Sequence, residues 1–269
     1  MLHLSLHFPS CLPRYSTATL LIAACAPAAA QATPDQVVTF VAGSAHAGQR
    51  PLRLLDPLQP GARIQLAPGA RLVVFRFGDS LETIMAGPGS FVVGREGIAR
   101  AGAGGTLRQV RMDPAFGSAA AGLRNPVQAG VTVRSAATET ADAPCEEAVA
   151  PGALVLRWRE REHAGDYGVT VIDEGEQVRH AARTAEREAA VPDTVLAPGA
   201  RYRWELTWRD ASGSLRLAGC RFALLSALDA ADMSRLRPAA DASASRRVLF
   251  GLWLRARGAF AQAAPYLEH

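Results

Sequence analysis

The sequence predicts a mainly β protein that ends in a short helical tail. From about residue 35 to residue 225, apolar residues fall in short runs separated by Gly and Pro, which is typical of strands joined by tight turns. The hydrophobic fraction of 49% is sufficient for packed cores. After residue 226 the apolar spacing becomes helical. The 269 residues leave room for two modest domains.

The charge pattern argues against a nucleic-acid partner. All 29 basic residues are Arg, and the sequence contains no Lys. A nucleic-acid-binding protein concentrates its cations on one face or in one run. Here Arg alternates with acids, as in residues 157–162 (RWRERE), which indicates a solvated surface.

The first 32 residues have the layout of a secretory signal. They contain no acid, an apolar run over residues 17–26, a break at Pro27 and small residues around a cleavage point after Ala32. A transmembrane helix needs about 20 apolar residues, so this run is too short to span a membrane. No second hydrophobic stretch follows. We therefore expect a periplasmic or secreted protein without a transmembrane span.

A second cleavage point gives an alternative destination. Residues 22–25 (IAAC) resemble a lipoprotein signal, in which Cys25 is acylated and becomes the mature N-terminus. Release after Ala32 is the favoured interpretation because Pro27 and the small residues that follow fit ordinary cleavage. Attachment to a membrane through a lipid on Cys25 is the alternative.

The cysteines predict one disulfide. Cys11 lies in the signal region and Cys25 is removed or lipidated, which leaves Cys145 and Cys220. An even pair in an exported protein favours a disulfide over two free thiols. We expect it to join the first and last segments of one domain. The spacing does not match a zinc site.

Residues 35–134 predict a first β domain built as a sandwich or barrel-like module. Turns with Pro and Gly separate its strands, for example at residues 60–61, 68–69 and 87–89. The imperfect alternation of residues 72–77 indicates a strand buried on both faces. The candidate strands are residues 37–41, 52–55, 63–66, 72–77, 81–85 and 91–93.

The order of these turns and strands resembles the FecR-type periplasmic domain over about residues 37–112. The motifs are Leu58 with Pro60-Gly61 and Ile64, the stretch 68–75, Gly78-Asp79-Ser80, and residues 87–91 (GPGSF). The resemblance implies a periplasmic β module first met in regulators of iron uptake. Two features depart from the family: the central turn usually reads Asp-Gly-Ser, and no transmembrane helix or cytoplasmic anti-sigma segment is present.

Residues 135–144 are small, polar and acidic, which predicts a linker, and residues 145–225 predict a second β domain. About seven short strands indicate an immunoglobulin-like or fibronectin-III-like sandwich. The stretch 196–204 (LAPGARYRW) resembles the entry to strand F of such domains, where Tyr202 makes a corner hydrogen bond. Trp158 is expected to be the core aromatic of this domain. The aromatic residues at positions 202, 204 and 208 share one face of a strand, and we expect them in the core in preference to the alternative, a sugar-binding platform. The candidate strands are residues 154–158, 167–172, 178–183, 202–208 and 215–224.

Residues 226–269 predict a helical tail. Ser226 caps a short helix that ends near Pro238, and a second helix over residues 245–257 is followed by Gly258 and a third helical stretch, residues 260–266. This pattern resembles a single helix-hairpin repeat of the tetratricopeptide type. One such repeat cannot bury its own face, so it packs on a β domain or contacts a partner. Phe250, Trp253 and Phe260 are expected to be packing residues.

No catalytic, cofactor-binding or metal-binding motif is present in the sequence. Asp79 and Ser80 are interpreted as turn residues. The histidines outside the signal region, at positions 46, 163, 180 and 269, have no ligand spacing. The acid pairs Glu146-Glu147 and Asp173-Glu174 fall in linker and turn sequence, and catalysis by carboxylates needs two acids that face one cleft.

These observations favour a non-enzymatic exported envelope protein that binds or scaffolds through its FecR-like domain. The expected partner is an envelope protein or a peptidoglycan-type polymer. A periplasmic regulatory sensor that contacts a receptor or a membrane regulator is one alternative. A hydrolase with an unrecognised carboxylate site is another.

Overall fold

The structure is a computed structural model that describes residues 34–124, 141–159 and 166–267. The predicted signal segment with Cys25, most of the 135–144 linker and the turn at residues 164–165 lie outside the described residues. The two β modules and the tail form one compact unit.

The first module is a sandwich of two five-stranded antiparallel sheets. One sheet has the order β10-β7-β6-β1-β4 and the other β3-β2-β5-β8-β9. The strands are β1 (Gln36–Ala42), β2 (Ala45–Ala47), β3 (Arg50–Pro51), β4 (Pro57–Leu58), β5 (Arg63–Leu66), β6 (Arg71–Arg76), β7 (Leu81–Ala86), β8 (Gly89–Val93), β9 (Ile98–Arg100) and β10 (Thr106–Arg111).

Strand β6 is buried on both faces, as its sequence predicted. Leu72 and Val74 point into the core between the two sheets, where they pack with Phe91. Phe75 points to the other side and packs with residues of the C-terminal tail. Because both faces are covered, neither needs polar residues, and the apolar run is continuous.

One predicted strand of this module is wrong. Residues 52–55 form a turn, in which Leu55 adopts a left-handed backbone with φ of 66°. The Leu55 amide donates to the carbonyl of Val38, and the Asp56 carboxylate accepts from the amide of Arg53. Leu52 is nevertheless buried. Residues 52–55 are largely apolar because this turn lies against the core. In the sequence, a short apolar run in a buried turn looks the same as one in a short strand.

The second module is an immunoglobulin- or fibronectin-III-like sandwich. A three-stranded sheet, β11-β13-β16, faces a five-stranded sheet, β12-β18-β17-β14-β15. The strands are β11 (Ala141–Ala143), β12 (Glu147–Val149), β13 (Leu154–Trp158), β14 (Tyr167–Asp173), β15 (Val178–Thr184), β16 (Glu188–Val191), β17 (Arg201–Arg209) and β18 (Leu215–Leu224). The five strands predicted from the sequence are present, and β11, β12 and β16 were not predicted.

Two predicted features of this module are confirmed. The Tyr202 hydroxyl accepts a hydrogen bond from the Ala197 amide at 2.7 Å across a turn where Gly199 has a φ of 80°. The disulfide joins Cys145, just before β12, to Cys220 in β18. Both features fasten the ends of the module to its central strands. Trp158 and Trp204 are core residues, and Trp208 lies at the core margin.

The tail consists of α2 (Ala227–Leu236), α3 (Ala244–Ala256) and α4 (Phe260–Leu267). A 3-10 helix (Pro114–Ala120) with α1 (Ala121–Arg124) follows the first module, and a second 3-10 turn covers Asp193–Val195. The predicted cap is confirmed, because the Ser226 hydroxyl accepts from the Asp229 amide. Among the described residues no helix is long and apolar enough to cross a membrane.

The tail packs against the first module, which is one of the two possibilities that the sequence left open. The buried residues Phe250 and Trp253 of α3 share a cluster with Phe75 and Phe116. The hydroxyls of Thr39 in β1 and Ser245 in α3 form a buried hydrogen bond of 2.8 Å. Phe260 does not follow the prediction, since it remains 43% exposed at the start of α4.

Candidate functional site

The second module carries an open cleft of about 690 Å³. It lies where the five-stranded sheet of the second module meets the turn between α3 and α4. Its lining is rich in charged residues, with five acids and four arginines. The lining residues are Glu146, Glu147, Ala148, Asp173, Glu174, Glu176, Arg201, Tyr202, Arg203, Arg221, Phe222, Ala223, Arg257 and Gly258.

Strand register brings the two acid pairs of the sequence into this one cleft. Glu147 in β12 lies opposite Phe222 in β18, and Phe222 lies opposite Tyr202 in β17. Tyr202 in turn lies opposite Asp173, the last residue of β14. One line across four adjacent strands therefore connects Glu147 to Asp173. The acids are 26 residues apart in the chain, and no local pattern predicts that they share a cleft.

The acids on the β14–β15 side are already neutralised by arginines. Arg203 binds both carboxylate oxygens of Glu176, at 2.5 and 2.6 Å, and its Nε donates to Glu205. This bidentate contact lowers the pKa of Glu176 and raises that of Arg203. Arg201 lies 3.8 Å from Glu174. The acids on this side of the cleft therefore have arginine partners.

Asp173 organises the β14–β15 turn. Its carboxylate accepts hydrogen bonds from the amides of Gly175 and Gln177 and from Arg179. These bonds, with the Gln177 amide foremost, lower the pKa of Asp173. An aspartate that accepts from its own turn is a common structural element, and Asp173 is ionised and fully engaged in that role.

The opposite side of the cleft carries charges without ionic partners. The carboxylate of Glu147 accepts from the Ala261 amide at 3.0 Å, and burial raises its pKa. Glu146 has a left-handed backbone, with φ of 54°, and its amide donates to the Arg221 carbonyl. Among the described residues, no ion pair involves the side chains of Glu146, Glu147 or Arg221.

Arg257 closes the cleft and joins it to the tail. Its guanidinium donates to Asp229 at 2.6 Å and to Ser118 at 3.3 Å, and lies 3.8 Å above the Trp253 ring. It therefore connects α2, α3 and the 3-10 helix after the first module. The adjacent Gly258 carbonyl accepts from the Ala148 amide of β12. The cleft wall thus depends on the docked tail.

The turn residues considered in the sequence analysis have structural roles. Asp79 forms a two-point ion pair with Arg76, at 2.8 and 2.6 Å. Ser80 is buried with a left-handed backbone, and its hydroxyl donates to the Pro114 carbonyl. A second hollow of about 530 Å³ lies beside them, and both polar groups point to protein partners.

The described part of the chain contains no group of three or more His, Cys, Asp or Glu arranged to hold a metal ion. Sequence reasoning did not identify Arg203 or Arg221 as cleft residues. One signal was present: Arg201, Arg203 and Glu205 alternate with core residues along β17, so they had to line the outer face.

Comparison with known proteins adds little about function. No protein-family model matches the sequence, and no curated protein matches it either. Among solved structures, CopC from Methylosinus trichosporium OB3b matches 32% of this chain and 90% of its own, at 16% identity and a TM-score of 0.27. FN3tt matches 31% of this chain and 92% of its own, at 20% identity and a TM-score of 0.24.

The Cu(I) solution structure of the chitin-active lytic polysaccharide monooxygenase BlLPMO10A matches 43% of this chain and 73% of its own, at 8% identity and a TM-score of 0.22. Such low TM-scores support no statement about ligand or activity. The sandwich assignment rests on the strand order, the tyrosine corner and the core.

Proposed function

We propose that this protein is a non-enzymatic exported envelope protein that binds a partner in the cleft between the second module and the tail. The observation that carries the proposal is the set of charges without ionic partners on one side of the cleft. A charged side chain loses its hydration when a ligand covers it, which costs free energy. A ligand that supplies the opposite charge compensates for this cost, so unpaired charges in a cleft favour a ligand with complementary charges. Arg221 offers a cation, and Glu146 and Glu147 offer anions.

The ligand that fits is a polymer or peptide with both carboxylates and amines. Its carboxylate binds at Arg221 and its amine binds at Glu146. Peptidoglycan-type polymers carry both groups on their peptide stems. The cleft is open along one side, so it accommodates a segment of a long chain without enclosing its ends. The same chemistry fits a peptide segment of an envelope protein.

The proposal also includes a compartment for the protein and a family for its first module. The signal-like segment and the Cys145–Cys220 disulfide support an oxidising envelope compartment. We assign the first module to the FecR type on its turn motifs. A regulatory sensor, which contacts a receptor or a membrane regulator through that module, is the variant of this proposal. Mass spectrometry of the mature N-terminus distinguishes release after Ala32 from a lipid on Cys25.

Co-sedimentation with purified peptidoglycan sacculi tests the ligand. The wild-type protein is expected to sediment with the sacculi, and Arg221→Ala is expected to reduce the bound fraction several-fold. Arg63→Ala is the matched control, because Arg63 is an exposed arginine on a strand of the first module. Equal loss in both variants would indicate non-specific electrostatic binding. Absence of wild-type binding would contradict a peptidoglycan ligand.

A hydrolase is the second candidate, and one observation favours it. Burial raises the pKa of Glu147 while Asp173 in the same cleft has a lowered pKa. Carboxyls whose pKa values are pushed apart are typical of acid and base pairs. Against this, backbone and arginine donors occupy the carboxylate of Asp173. Release of soluble fragments from sacculi that is lost in Glu147→Gln would establish the hydrolase.

A further inference from the structure

Within the described residues, no strand pairs with the N-terminal half of β18 on the side away from β17. On one side β18 pairs with β17 in unbroken register from Leu215 to Ala223. On its other side β12 pairs only with residues from Phe222 to Leu224. Leu215 and Leu217 are 68% and 61% exposed. Natural sheets usually protect such edges with charges, prolines or bulges. The one charged residue among 215 to 219 is Arg216, which is paired with Asp210 and, by the two-residue period of a strand, points to the face opposite Leu215 and Leu217.

The direction of the backbone groups along this edge follows from two hydrogen bonds. The Arg221 carbonyl accepts from Glu146 on the open side, whereas the Leu224 amide donates to Ala200 on the β17 side. In an antiparallel ladder, the N–H and C=O of one residue point the same way and alternate along the strand. Leu215, Leu217 and Gly219 therefore direct both backbone groups outward from the edge.

The side chains at this edge complement one another under a two-fold axis. If two copies pair antiparallel with Leu217 opposite its counterpart, Leu215 of each copy lies opposite Gly219 of the other. Gly219 must be a glycine, because a Cβ there would lie 2.4 Å from the Trp204 carbonyl oxygen. A hollow of about 270 Å³ beside Gly219 and Leu217 provides room for the Leu215 side chain of the other copy.

The charges are complementary in the same register. This pairing brings Arg221 opposite Gly213, so the neighbouring Glu146 meets the β17–β18 turn of the other copy. That turn carries Arg209, whose guanidinium donates to the Gly213 carbonyl and forms no ion pair within the described residues. Arg216 is compensated by Asp210 at 2.6 Å and adds no net repulsion.

We propose that two copies of this chain associate edge to edge through residues 215–219 of β18, with a two-fold axis at Leu217. The pairing joins the two five-stranded sheets into one continuous sheet. It gathers the exposed leucines of both copies on one face of that sheet. β12 limits its length, since it occupies the edge from Phe222 onward. The pairing requires no ligand in the cleft, and in the dimer Arg209 of the other copy competes with a ligand amine for Glu146.

Sedimentation equilibrium of the mature product of the full chain tests the proposal. The wild type is expected to form a concentration-dependent dimer, and Leu217→Arg is expected to weaken association about a hundredfold, because it places two like charges opposite each other. Leu228→Arg is the matched control, since Leu228 is 74% exposed on α2. Circular dichroism verifies that each variant is folded.

A charge exchange tests the register. Glu146→Arg and Arg209→Glu are each expected to weaken the dimer, and the double variant is expected to restore it, because both copies then carry the reversed pair. Dimerisation recovered in this way excludes a general loss of fold. A wild-type monomer at all concentrations, a dimer that survives Leu217→Arg, or a double variant that fails to recover would overturn the proposal.

Discussion

Replacing Tyr202 with Phe removes a single oxygen atom and tests the corner of the second module. The ring of Tyr202 is 5% exposed and stacks on Phe222 with centroids 5.5 Å apart. Phe keeps this packing. What is lost is the acceptor for the Ala197 amide, which donates to the hydroxyl at 2.7 Å. The substitution therefore isolates one hydrogen bond.

The expected cost follows from the burial of that bond. A buried amide left without an acceptor costs about 1–3 kcal/mol in the free energy of unfolding. No new charge or large cavity accompanies the change, so the denaturant dependence of the unfolding free energy should stay constant and only the midpoint should fall. Urea unfolding with the disulfide intact measures both quantities.

Tyr266→Phe is the control for this experiment. Tyr266 packs its ring edge-on against Phe250 in the tail, and its hydroxyl has no hydrogen-bond partner in the described part of the chain. Its loss is expected to change stability by less than about 0.5 kcal/mol. If Tyr202→Phe had no larger effect than Tyr266→Phe, the tyrosine corner would not stabilise this module.

Three further predictions concern other contacts. Non-reducing mass spectrometry should recover a peptide pair linked through Cys145 and Cys220, and the absence of this pair would contradict the disulfide. Because the two cysteines are 75 residues apart, replacing both by Ser should lower the free energy of unfolding in urea by about 4 kcal/mol. Ser245→Ala removes the 2.8 Å hydrogen bond between α3 and β1 and leaves the buried Thr39 hydroxyl only its 3.4 Å contact with the Val73 carbonyl. Thermal unfolding should show a loss of about 0.5–1.5 kcal/mol, and an unchanged midpoint would contradict this docking role. The hydrogen bond from Ser212, with those from Arg216 and the turn amides, lowers the pKa of Asp210 to about 2, below the value of about 3.9 in unfolded chains. Its stabilisation is therefore present above about pH 4 and lost as the pH falls toward 2, so the difference in melting temperature between wild type and Asp210→Asn should shrink over that range.

Part of the candidate site was predictable from the sequence, because the alternation of residues along β17 places Arg201 and Arg203 on the outer face. Their partners were not predictable. Glu176 comes from the turn after β14, and Glu147 comes from β12, a short strand without its own sequence signal. Which acid meets which arginine depends on the order of strands in the sheet, and that order is a property of the packed module.

Local physical chemistry determined the elements of this protein. Strands β5, β13 and β18 begin and end as the sequence predicts, because period-two burial and flanking turn residues specify them. Ser226 caps α2 because its hydroxyl reaches an amide three residues on. The pairing of Cys145 with Cys220 followed from the count of cysteines outside the signal region.

Only the tertiary structure decided where the tail goes and which edges stay open. α3 lies on β1, where Ser245 meets Thr39 across about 200 residues of chain, because each buries an apolar face that neither covers alone. Residues 52–55 form a turn whose leucines pack against two different core clusters. Within the described residues, the first half of β18 has a paired strand, β17, on one side alone. These outcomes depend on contacts between residues that are far apart in the chain. The sequence shows which faces are apolar, but it does not show which of them pack together.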